Sequence, residues 1–175
     1  MSAAQIILKT IVAHTVTYVI AGLLAFSLLD YPTLIWETTL GVVMRPLRDP
    51  MVGAGPLFQP VRGLLFGVVF YLLRQPFFGR PHGWLLMWAV LVSLGIVGPF
   101  GTAPGSLEGL IYTRVPVSAQ LALLPEILLQ SLGLSWILFQ WVNHPEKKWL
   151  QWTMGAAFVV ALLLPALGLL ALARG

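Results

Sequence analysis

Glu126 is the residue of this sequence that most needs a chemical account. It stands behind Pro125 in an otherwise apolar stretch, where a carboxylate is costly unless it faces protein or water. Gln130, Gly133, Ile137 and Gln140 follow at intervals of four and three residues, so on a helix all five share one face. That face is expected to point inward. Glu126 and its glutamines could then contact an ion, proton or solute. The simpler reading is a carboxylate neutralised by an arginine, with Arg62 the first choice of partner and Arg114 the second.

His14, His82 and His144 are the only histidines, and alternation of spans places them near one membrane face. Three imidazoles suit a transition metal or haem, but no short-range ligand spacing supports a site. The plainer reading makes His82 and His144 turn residues and lets His14 hydrogen-bond a neighbouring helix. The opposite face is expected to hold Arg62, Glu108, Arg114 and Glu126 with the Gly- and Pro-rich loop 99–109. Ser106 and Glu108 make that loop a candidate site for a headgroup or a partner. Hydrolysis there would lack a histidine base.

Thr10, His14, Thr17 and Ala21, with Tyr18 and Gly22 alongside, form a narrow polar and small-residue stripe on the first span. A His14 to Glu126 relay is not expected, because antiparallel spans separate the two by roughly 18 Å in depth.

The elements that must position these groups are membrane helices. Hydrophobic residues are 58% of the chain, charged residues 9%, and the mean hydropathy is +0.89, far from soluble usage. A spanning helix needs about 20 apolar residues to cross about 30 Å of hydrocarbon. The sequence therefore predicts an all-α integral membrane bundle of about five transmembrane helices, near 10–29, 60–78, 83–98, 121–142 and 149–173. The 60–78 stretch carries Arg62 and Arg74 and spans only if both snorkel; as a re-entrant or interfacial helix it would leave four crossings. An interfacial helix is expected in the first loop near 33–44, with Trp36 and Leu40 on its apolar side. Gly63 and Gly67 fit the small-xxx-small spacing of close helix packing, within the chain or between subunits. Ala25-Phe26-Ser27 loosely resembles a signal-peptidase site, but an uncleaved first helix is preferred.

Lys9, Arg74, Arg80, Lys147 and Lys148 fall on one side, and their short loops favour a cytoplasmic N-terminus. The net charge of +4 is carried by scattered cations rather than a basic stripe, so the expected partner is the lipid bilayer, with other membrane subunits, and not nucleic acid. The absence of cysteine excludes disulfides, thiolate nucleophiles and iron-sulfur ligation, and no cofactor is named. No H-E-x-x-H or P-loop motif is present. The resulting expectation is a non-catalytic accessory or structural component of a membrane assembly. A small-solute or ion transporter using Glu126, and an enzyme acting on a lipid or another hydrophobic substrate, are the alternatives.

Overall fold

A computed structural model describes residues 1–29, 41, 44–46, 49–172 and 174. The described residues are helical, without strands. The interfacial helix expected over 33–44 falls almost wholly outside them.

Helix α1 (Ala3–Leu28) begins seven residues before the charge-free run at Thr10. Two local features allow the early start. Ser2 and Gln5 form a reciprocal capping box, which satisfies donors that the first turn leaves open. Lys9 is accommodated inside the helix because its Nζ donates to the Trp141 carbonyl at 2.6 Å. That carbonyl lacks its ordinary helical donor, since residue 145 is a proline.

After the first loop come α2 (Pro50–Gly53), a 3-10 turn at Gly55–Phe58, α3 (Gln59–Leu72) and α4 (Arg74–Phe78). The helix expected over 60–78 is thus divided at Leu73. Pro76 explains the break, because its missing N–H and its ring both disfavour a helical Leu72 carbonyl four residues earlier. Helix α5 (Gly83–Val92) passes into a π-helical stretch at Ser93–Val97, and a loop leads to α6 (Leu107–Tyr112). The chain closes with α7 (Val117–Asn143) and α8 (Lys148–Leu172), joined by the turn around Pro145.

Four helical stretches are long and apolar enough to cross a membrane: α1, Gly55–Leu72, α7 and α8. Gly83–Val97 is apolar but shorter. Helix α1 is the hub, packed against α3, α7 and α8, while α5 packs on α7. A Cβ at Gly63 would stand 2.6 Å from the Ile11 Cα, and one at Gly67 2.9 Å from the Ile7 Cα. The small-xxx-small pair therefore serves contact within the chain, letting α3 and α1 run antiparallel with their backbones almost touching. Phe77, Met87, Leu134 and Leu138 fill the core between α4, α5 and α7; Val16, Trp141, Leu150 and Met154 fill the second cluster, towards α8.

Candidate functional site

The polar stripe of α1 resolves into two kinds of residue. Thr10, Thr15 and Thr17 donate to the carbonyls of Ile6, Ile11 and Ala13, four residues back, so each satisfies itself within the helix. His14 cannot, because its ring does not reach its own preceding turn. It is 3% exposed and meets Gln59, 2% exposed, through Nε2 and Oε1 at 3.2 Å. Gln59 in turn donates its Nε2 to the Gly55 carbonyl at 3.1 Å. A carbonyl only accepts, so the amide orientation is fixed and His14 must donate from Nε2. The other ring nitrogen, Nδ1, is then a bare acceptor, and it is buried without a hydrogen-bond partner.

Phe66 packs edge-on against the His14 ring at 5.0 Å between centroids and stacks with Phe70. Towards the C-terminal end of α1, Tyr18 comes next along the seam, its ring 6.4 Å from that of His14. Arg62 lies within electrostatic range of both His14 and Tyr18, and Glu126 within range of Tyr18. Glu126 approaches α1 at Gly22, where an added Cβ would lie 3.9 Å from its Oε1. His14 and Glu126 are thus separated along α1 by about two turns, roughly 12 Å, with Tyr18 between them.

The face of α7 that carries Glu126 does turn towards α1: Gly133 meets Thr17, and Ile137 packs against both core clusters. Gln140 lies at the far end, where it accepts from Lys147 at 3.4 Å. Gln130 is half-buried between them. Among the described residues, ion pairs join Arg45 with Asp49 and His144 with Glu146.

The histidines are not brought together. Because α1 starts at Ala3, His14 stands near mid-helix rather than near its start. His82 precedes α5 and His144 closes α7, both at turns. Among the described residues no group of three His, Asp or Glu side chains is placed to hold a metal.

The 99–109 loop has an internal role for its serine. Ser106 Oγ donates to the Ala103 carbonyl at 2.6 Å and accepts from the Gly109 N–H at 2.9 Å, capping α6. Both bonds are those of a turn former. Glu108, in the first turn of α6, suits the helix dipole. Gln120 carries no distinguishing signal in the sequence. It is 3% exposed, accepts from the Gly105 N–H and donates to Thr113 Oγ1 at 3.1 Å, so it staples the loop to α7. Gly105 has φ +83°, a conformation that only glycine adopts without strain.

No protein-family model, curated protein or solved structure matches this chain.

Proposed function

We propose that this chain is a membrane-embedded bundle of five apolar segments that serves as an accessory or structural component of a larger membrane assembly. The fifth segment in this reading is Gly83–Val97, which runs antiparallel to α7 beside the four longer stretches. The start of α1 is assigned to the cytoplasmic side, because Lys9, Arg74, Arg80, Lys147 and Lys148 gather at that end with Glu146 as their acidic neighbour.

One observation carries the assembly reading. Only 6% of the most apolar window of α8 is buried within the chain, against 39% for α1, 22% for Gly55–Leu72 and 17% for α7. Lipid offers an apolar helix no net hydrophobic drive towards its neighbours, so position is normally fixed by close packing. Helix α8 has little of that in its own chain, which supports a partner helix alongside it.

The sequence has no cysteine, so single cysteines can be placed at will. Cysteines at Val159 and Leu163 of α8 should cross-link to a second polypeptide in native membranes, whereas one at Val68 of α3 should not. Cross-linking from none of the three, with the protein inserted, refutes the assembly reading.

A second reading, transport of a small solute or proton, is favoured by the unpartnered His14 Nδ1 and by the line of Tyr18, Arg62 and Glu126 beyond it. Its test is flux into proteoliposomes. A neutral Glu126→Gln change should preserve the fold and abolish flux if the carboxylate carries the ion.

A further inference from the structure

A groove of about 640 Å³ opens where α1 and α8 begin and α7 ends. Lys9 and Lys147 line it, with Leu8, Val12, Trp152 and Gly155. The two lysines are held by neutral acceptors. Lys9 rests on the Trp141 carbonyl, with its Nζ 5.5 Å from the Trp141 ring centroid, and Lys147 points to the Gln140 amide oxygen. Glu146 is close enough to interact with Lys147, but its carboxylate is hydrogen-bonded to His144, and Lys148 adjoins it. The mouth of the groove is therefore net positive. From Lys147, just before α8, to Gly155 is eight residues, or about 12 Å, and over that distance the lining passes from cationic through Gln151 to apolar. Trp152, 79% exposed, presents a large amphipathic ring beside the opening.

A charged mouth over an apolar floor fits one class of small molecule closely: an amphiphile with an anionic head and a hydrocarbon tail. We propose that this groove binds an anionic phospholipid, with its phosphate between Lys9 and Lys147 and an acyl chain along Leu8, Val12 and Gly155. The inference rests on the membrane-embedded reading above and adds to it a specific lipid. Charge complementarity selects the occupant, since a zwitterionic headgroup brings a cation of its own to a site that already holds two.

Gly155 provides a clean test, because it lines the groove and a Cβ there meets nothing within 4 Å, so a larger side chain is expected to occupy the groove. Insertion is scored first by alkaline extraction of membranes; a chain released into the supernatant overturns the embedding itself. The inserted full chain is then purified in a mild non-ionic detergent. Phosphatidylglycerol and phosphatidylcholine are offered in equal amounts, and the retained lipid is counted by native mass spectrometry. Phosphatidylglycerol should be retained at least fivefold over phosphatidylcholine, a preference that Lys147→Gln and Gly155→Leu each remove. Arg174→Gln, at the other end of the bundle, should leave it intact. Lys9→Gln is a weaker probe, because it also releases the Trp141 carbonyl. Equal retention of the two lipids, or an undiminished preference in Gly155→Leu, overturns the lipid site while leaving the embedding standing.

Discussion

Glycines in α3 and α8 occupy opposite surroundings. In α3, Gly63 and Gly67 stand where the α1 backbone leaves no room for a methyl group. In α8, Gly155 and Gly168 have nothing within 4 Å of where a Cβ would be. The same residue therefore closes one interface and leaves open space at another. The difference shows that α1 and α3 form a tightly fitted pair, while α8 is open at Gly155 and Gly168.

Substitution of these glycines should separate the two regions most sharply. Gly63→Ala must push Ile11 away and is expected to cost about 1–3 kcal/mol of stability. Gly155→Ala is expected to be neutral or to stabilise by up to about 1 kcal/mol, through helix propensity alone. Denaturant unfolding in detergent micelles checks both values. A Gly155→Ala loss equal to that of Gly63→Ala would break the comparison.

The next effect belongs to the same tight pair. Gln59→Leu strands the buried His14 Nε2–H and should cost about 2 kcal/mol. Adding His14→Leu should recover part of the loss, because two apolar partners are cheaper than one unsatisfied donor. An unfolding series in which the double variant is worse than Gln59→Leu alone would mean that His14 contributes more than packing.

Away from the hub the expected effects shrink. Gln120→Leu should cost about 1 kcal/mol, and it should make the 99–115 segment more sensitive to limited proteolysis without changing the α1–α3 contact. The smallest effect is at the α7–α8 turn. The Glu146 carboxyl is held below its ordinary value of 4.5, first by its own backbone N–H and then by His144. A depressed acid stabilises the fold fully above its unfolded pKa, and that contribution is lost as pH falls through the folded value. An NMR titration should therefore place the Glu146 midpoint below 4.5, and His144→Ala should raise it. A midpoint at or above 4.5 would remove the turn's electrostatic role.

Much of this architecture was legible in the sequence. The long apolar runs located α7 and α8, Pro145 marked the turn between them, and the glycine spacing marked a close contact. Other features were hidden for physical reasons. Lys9 was read as a boundary, because the carbonyl that accepts it becomes available only when Pro145 ends a helix more than a hundred residues away. The earlier start of α1 puts His14 near the middle of that helix rather than near its first turns. The 60–78 run was read as one helix because its apolar character continues through Leu73, although Pro76 offered the signal for a break. Gln59 and Gln120 carry no signal in the sequence, because an isolated glutamine is silent until its partners, Gly55 and His14 or Gly105 and Thr113, are folded beside it. The inward face of Glu126, by contrast, followed from spacing alone.

The short span of Gly83–Val97 has a consequence for the surroundings of the molecule. Ten α-helical and five π-helical residues reach about 22 Å at about 1.5 Å per residue, against about 30 Å of hydrocarbon. In the proposed embedding, that flank would meet the bilayer with a hydrophobic mismatch of about 8 Å. The lipid beside α5 would then thin locally to meet it, and a thinner membrane would relieve that mismatch. Bilayer thickness would thereby become a variable that pulls two ways, because α1, α7 and α8, at 26, 27 and 25 residues, are long enough for a thicker membrane while the α5 flank is not.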